Sequence, residues 1–373
     1  MTIKPDLLFI LIEFAYLIIF LTFEFTNFSF LVGIAYVLAG FKFSIAATAS
    51  SDMLAYNKVY NGIASFGAEA TFRRQGYTME GSFLNLLYIV KLLHIPLIVF
   101  HIIIVILFLL SVNFLCQALV SKNQATRIAL LFGFFPVGGE LCFYLLRQLL
   151  STSLVFTSLG FLYRDKLTKA FVIFSSSVLF HSSAILYTPF FIAKLIKNNI
   201  LKITLIMLIY GAYIFLISNT DVGGQLISSL TGESSIYSSK YRINTLADYT
   251  VAQGQRRADI GVITAVMLSY FALMVTFKIN AIKKSKLWLY HSFTFIFTVF
   301  YILLNWLEIF WISSRVNFIS DMLLFTSNIF LSMEFSFKHK DKIIFSTLAI
   351  ALFWISTYVI IKSYENNGVL FRI

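Results

Sequence analysis

The sequence predicts an all-α polytopic integral membrane protein, and three observations predict it. The 373 residues are 59% hydrophobic and only 12% charged, where a soluble domain is nearer half apolar and a quarter charged. Mean hydropathy is +0.85. The apolar residues also fall in long runs, near 7–24, 28–48, 95–116, 127–142, 143–163, 170–193, 200–218, 259–277, 287–304, 315–335 and 343–362. Roughly twenty apolar residues make one helical span. The alternating segments of a transmembrane barrel are absent, which leaves the helix as the fold that satisfies its own backbone in lipid. The expectation is a single transmembrane domain over 1–373 with about ten spanning helices.

The first run, MTIKPDLLFILIEFAYLIIF, has one lysine and no small-residue cleavage site after it. It reads as a retained span rather than a signal peptide. The formal net charge of +12 matters less than its placement: Lys122/Arg127, Arg164/Lys166/Lys169, Lys194/Lys197/Lys202, Lys278/Lys283/Lys284/Lys286 and Lys338/Lys340/Lys342 cluster in short loops. The positive-inside rule makes those loops cytoplasmic, so the charge orients the chain and implies no nucleic acid. Two long polar segments, 49–82 and 219–258, and a shorter one, NWLEIFWISS at 305–314, then fall on the extracytoplasmic side. The long pair mix aromatics, acids and arginines, as a polar-ligand surface does. Cys116 and Cys142 lie in apolar runs without metal spacing and imply no disulfide.

Segment 170–193 has a lysine on each side, Lys169 and Lys194, and both loops read as cytoplasmic. One span cannot begin and end on the same side. Two half-helices of roughly 12 residues, each about 18 Å long, would make a re-entrant hairpin with LFHSSA, 179–184, at its tip. Broken backbone of that kind needs protein or a wet cavity around it. One long tilted helix remains the alternative.

Arg147 interrupts an apolar run, FYLLRQLLSTS. It precedes Arg164 by 17 residues, or about 25 Å of helix. His181 follows Lys166 by 15 residues, at most about 22 Å from the same boundary. Both side chains are therefore expected at similar depth, toward the outer leaflet. An arginine inside a span marks a site facing a polar cavity, or else it snorkels to headgroups. Upstream, GFFPVGGELCF suggests a helix broken by Pro136, Gly138 and Gly139, with Glu140 placed to pair with Arg147. Arg315 opens another run on the outer side, with Glu308 and Asp321 as nearby acids. Guanidinium forks bind phosphate oxygens, so Arg147 and Arg315 are candidate clamps for a diphosphate. His94, His101 and His291 read as satisfied helix histidines. No HExxH, CxxC, GxSxG or P-loop pattern occurs, so no metal and no cofactor is expected.

Residues 142–190, CFYLLRQLLSTSLVFTSLGFLYRDKLTKAFVIFSSSVLFHSSAILYTPF, resemble the central motif of the Wzy/EpsG-type polysaccharide polymerases. That motif is an Arg-Gln, a helix, a short basic loop, a second helix and a His-Ser-Ser-Ala-like turn, here Arg147, Gln148, His181 and Ser182. SDMLAYNKVYNG and MEGSFLNLLYIV are similar to the family's outer loop and give Asp52 and Glu80. SSRVNFISD supplies the later arginine, Arg315. One departure is that only Glu24 stands where members carry a lysine cluster between the first two spans.

The resemblance implies a GT-C-like glycosyltransferase of the bacterial inner membrane, with its site facing the periplasm. Such enzymes transfer an undecaprenyl-diphosphate-linked oligosaccharide onto the non-reducing end of another lipid-linked repeat unit. The partners implied are that lipid-linked glycan, membrane lipids and a chain-length regulator. Arg147, Arg315, Gln148 and Ser182 would bind the diphosphate. His181 is the first choice of base, with Asp52, Glu80 and Glu140 behind it, and His181 as a cation for the diphosphate is the other reading. Competing functions are an O-antigen ligase, which the absence of histidine from both long outer loops disfavours, and a flippase or transporter of lipid-linked oligosaccharide, which would show internal repeats.

Overall fold

The computed structural model describes residues 5–48, 51–74, 79–144, 146–196, 199–218, 287–306, 310–335 and 341–367, with short helical pieces at 268, 271–272 and 275–276. Its helices are α1 Pro5–Thr26, α2 Ser29–Ala47, α3 Ser51–Gly62, α4 Glu69–Arg74, α5 Gly81–Leu92, α6 Leu97–Leu119, α7 Lys122–Leu131, α8 Phe135–Tyr144, α9 Leu146–Tyr163 and α10 Leu167–Phe180. A 3₁₀ turn at Ser182–Tyr187 precedes α11 Thr188–Leu195, α12 Asn199–Ser218, α13 Trp288–Trp306, α14 Phe310–Phe335 and α15 Asp341–Asn367. The described residues contain no strand. Leu8–Thr26, Ser29–Ala47 and Leu97–Leu119 are long and apolar enough to cross a membrane, and α5, α10 and α12–α15 carry shorter apolar stretches. The chain divides into two compact units, Met1–Tyr187 with Ser336–Ile373, and Thr188–Phe335.

In the first unit α6 is the central helix and packs against α2, α7 and α9. Its buried positions include Phe100, Ile104, Phe108 and Leu115, on one side of a helix that is apolar all round. Gly40 lets α2 come close: a Cβ there would stand 3.0 Å from the Ile102 side chain and 3.2 Å from its carbonyl oxygen. Small residues at such crossings are how membrane helices gain contact without a hydrophobic drive.

Serines join α9 to α10. The Ser158 hydroxyl donates to the Ala170 carbonyl, and Ser151 Oγ donates to the Ser177 carbonyl at 2.9 Å. Donors seven residues apart on α9 meet acceptors seven apart in the reverse sense on α10, so the two helices run antiparallel in fixed register. That register sets where α10 ends.

Two buried ion pairs brace the unit. Glu13 of α1 pairs with Lys42 of α2, and both are fully buried. Lys42 Nζ also donates to the Gly133 carbonyl at 2.5 Å. Glu13 accepts from Ser356 Oγ of α15 at 2.6 Å and from the Phe135 N–H at 3.2 Å. Glu13 thus satisfies a free donor at the start of α8, where negative charge is favoured. Replacing one partner of such a pair strands a buried charge. Trimming only its support is milder: Ser356→Ala is expected to destabilise the protein by about 1–3 kcal/mol, read as a lower Tm in detergent.

Three expectations change. Pro136, Gly138 and Gly139 do not break a helix; the chain turns at Gly133–Phe134 and α8 runs through all three. Pro136 lies in the first turn, where no N–H is required, and a Cβ on Gly138 would collide with the Phe132 carbonyl. Arg127 is not a loop residue but lies buried in α7, 2.9 Å from Glu24, itself inside α1. Segment 49–82 is largely helical rather than a loop: α3 and α4 lie within it, and α3 buries Met53, Tyr56 and Val59 at helical spacing. Segment 219–258 lies outside the described residues.

Segment 170–193 is interrupted, as a broken span requires. α10 stops at Phe180, His181 takes extended backbone (φ −157°, ψ 123°) and the 3₁₀ turn follows. Its second half, α11, belongs to the other compact unit.

Candidate functional site

Three helix ends of the first unit meet at one carboxylate. Glu80 is the residue before α5, in the cap position, yet its side chain makes no capping bond. It turns instead to Arg147, the second residue of α9, and the two form an ion pair. Its other oxygen, Oε1, lies 3.4 Å from His181 Nδ1, at the end of α10. The same oxygen accepts from the Ser182 backbone N–H at 3.4 Å. The Ser82 hydroxyl donates to the Leu179 carbonyl and fastens the start of α5 to the end of α10. Ser151 Oγ, 3.5 Å from the His181 carbonyl, adds a contact from α9.

Arg147 stands against its helix. The N-terminus of α9 already carries partial positive charge, and adding a guanidinium there concentrates a field that favours an anion. In this structure Glu80 is that anion. The side chains of Arg147, Glu80 and His181 are 16, 23 and 7% exposed, so the cluster is shielded but reachable. His181 has two settings. With Nδ1 accepting from the Ser183 N–H at 3.4 Å, the proton sits on Nε2; with Nδ1 protonated, it donates to Glu80.

Tyr56 was not among the residues singled out by sequence. Its hydroxyl accepts from Arg147 Nε at 3.4 Å, and its ring meets the Phe83 ring edge-on at 5.8 Å between centroids. The helical spacing 53–56–59 inside SDMLAYNKVYNG is the signal that marks it. Tyr56→Phe removes one orienting bond, so affinity for an anion offered to Arg147 is expected to fall by less than about tenfold, visible in a binding titration with inorganic diphosphate.

The structure therefore brings together Glu80, Arg147, His181 and the Ser182 backbone. Gln148 is buried beside Arg147 in sequence, 1% exposed. Asp52 lies in α3, Glu140 in α8 and Arg315 in α14, and the side chains of all three lie outside the described residues. Arg315 belongs to the second unit. Among the described residues no group of three His, Cys, Asp or Glu is placed to hold a metal ion. Cys116 and Cys142 are buried free thiols. His101 is satisfied, with Nδ1 2.6 Å from Ser44 Oγ and Nε2 2.7 Å from the Cys142 carbonyl. His94 is exposed in the turn after α5, at φ 54°. His291 departs from expectation, for it is buried and neither ring nitrogen has a hydrogen-bond partner.

Described residues whose regular structure is helical throughout, with apolar spans and a shielded Arg–Glu–His cluster at helix ends, define a polytopic membrane protein. The sequence model of the EpsG family matches residues 25–371, and the chain belongs to that family. The family points to a polysaccharide repeat-unit polymerase of glycosyltransferase type. No curated protein matches the chain, and neither does any solved structure.

Proposed function

We propose that this chain is a metal-independent, GT-C-like polymerase that transfers an undecaprenyl-diphosphate-linked glycan onto the non-reducing end of a second lipid-linked repeat unit. The reaction takes place at the outer face of the bacterial inner membrane. One observation carries the reading: the carboxylate of Glu80 occupies a point where a guanidinium, a backbone N–H and an imidazole converge. A phosphate oxygen of the donor can take the same donors.

The acceptor hydroxyl attacks the anomeric carbon, the bond from that carbon to the diphosphate oxygen breaks, and undecaprenyl diphosphate leaves. Charge grows on the leaving oxygen, and Arg147 stabilises it from its place at the start of α9; Arg315 is the second cation this reading calls for. Gln148 and the Ser182 backbone N–H complete the diphosphate site. The hydroxyl proton passes to His181 or to Glu80, which substrate binding releases from Arg147. Asp52 and Glu140 stand behind them as further acids. Arginines supply the countercharge a diphosphate needs, and this is why we read the transfer as metal-independent.

The test is reconstitution with a defined lipid-linked repeat unit. Wild type is expected to build a ladder of polymer, and Arg315→Ala, expressed at the normal level, is expected to lose it. A retained ladder in Arg315→Ala removes that residue from the site. Decoration of lipid A core in place of a ladder overturns the polymerase reading in favour of a ligase.

A further inference from the structure

The second unit holds a cavity of about 360 Å³ whose lining includes no residue of the Glu80–Arg147–His181 cluster. Its size falls in the range of small-molecule sites, about 300–1,000 Å³. On α13 it is lined by Trp288, His291, Ser292, Phe295 and Ile296. These positions share one helix face, and they extend about 12 Å along the axis. Ile203 of α12 and Phe271, Ala272, Val275 and Thr276 form the remaining walls. Ala272, Thr276 and Phe295 are exposed, so the cavity is open to the surroundings of the protein.

His291 is the polar group inside it. The residue is 1% exposed, and neither nitrogen has a partner. Its ring neighbours are aromatic: Phe271 at 5.8 Å, Tyr290 at 6.4 Å and Phe330 at 6.5 Å between centroids. A neutral imidazole carries one donor and one acceptor, and leaving a buried one unmet costs about 1–3 kcal/mol. The Thr276 hydroxyl already donates to the Ala272 carbonyl at 2.7 Å, which leaves Ser292 as the other hydroxyl on the wall beside His291.

The polarity of the cavity is graded. At one end stands Trp288, the kind of residue that sits at a membrane interface. Ile203 on the cavity wall directly follows Lys202 at the start of α12. One turn deeper come His291 and Ser292, and a further turn on, Phe295 and Ile296. Cation, hydrogen-bonding group and hydrocarbon wall therefore follow one another, the order in which a phospholipid presents phosphate, ester and chain.

We propose that this cavity binds one acyl chain of an anionic phospholipid, with an ester oxygen accepting from the His291 ring N–H and the phosphate beside Lys202. The site is independent of the transfer reaction and is tested without it. The full-length protein in detergent is incubated with phosphatidylglycerol bearing a photoreactive group in mid-chain, and the labelled peptides are mapped by mass spectrometry.

Labelling is expected to concentrate on 288–296 and to disappear in Ala272→Trp, which fills the opening from an exposed position. His291→Phe is expected to weaken labelling about three- to tenfold, and His291→Gln, which keeps an N–H donor, to restore it. A phosphatidylethanolamine probe is expected to label less, a difference that Lys202→Gln removes. Label spread evenly over the apolar helices in every variant overturns the proposal, as does equal labelling by the two headgroups. Displacement by polyprenyl phosphate but not by unlabelled phosphatidylglycerol overturns it also, and assigns the cavity to the substrate's lipid.

Discussion

Arg147→Ala is expected to lower kcat/KM for polymer formation by about 10²–10³-fold, with most of the loss in kcat. In the proposed reaction the guanidinium meets the donor before and during bond breaking, but its attraction grows as the diphosphate gains charge, so its removal acts chiefly on the transition state. Arg147→Lys is expected to recover only part of the rate. A lysine keeps the charge but not the planar fork, and here that fork reaches Glu80 through Nη1 while Nε meets Tyr56. Removing the guanidinium also strands the mostly buried Glu80 carboxylate, so Arg147→Ala is expected to lower the Tm in detergent as well, and kinetics are read only on the folded fraction. The decisive measurement is steady-state kinetics on folded, reconstituted variants. A rise in KM with kcat intact would show that Arg147 merely holds substrate and takes no part in the chemical step.

The helical class and most apolar segments were legible because both depend on local composition. Runs 28–48 and 95–116 became α2 and α6 with shifts of a few residues. The approach of Arg147 to His181 was also legible, since helical rise alone brought them to similar depth, and the structure joins them through Glu80. What spacing could not supply was the carboxylate between them. Glu80 entered only through the resemblance of MEGSFLNLLYIV, because a helix-capping position gives no sign that the side chain points away from the cap. Tyr56 escaped because its polar surroundings in 49–82 read as a loop, although buried side chains recur there every three residues. Glu13 and Lys42 escaped for another reason. Each is a charge inside an apolar run, and their separation of 29 positions carries no mark of their pairing. The Gly133 turn was misplaced by a few residues because Pro136 and two glycines imitate a break, whereas proline in a first turn supports a helix.

Glu80→Gln separates the two tasks the site assigns to this residue, and the expected result lowers both parameters, KM through tighter binding and kcat through slower chemistry. The amide has the shape of the carboxylate but not its charge, so Arg147 loses its resident anion. An incoming diphosphate then displaces nothing, and the KM for the lipid-linked donor is expected to fall. The chemical step suffers, because the variant neither accepts the hydroxyl proton nor holds His181 through the contact to Nδ1. General-base catalysis is worth about 10²–10⁴-fold, and kcat is expected to drop within that range. An unchanged kcat would leave Glu80 as a placeholder for phosphate and pass the base to His181 alone, a role His181→Gln then tests. The double variant closes the cycle. If Arg147 and Glu80 act as one unit, Arg147→Ala combined with Glu80→Gln is hardly slower than the worse single variant, since each change already disables the same event. Strictly multiplicative losses would instead mean that the ion pair seen between them has no part in the passage from bound substrate to product.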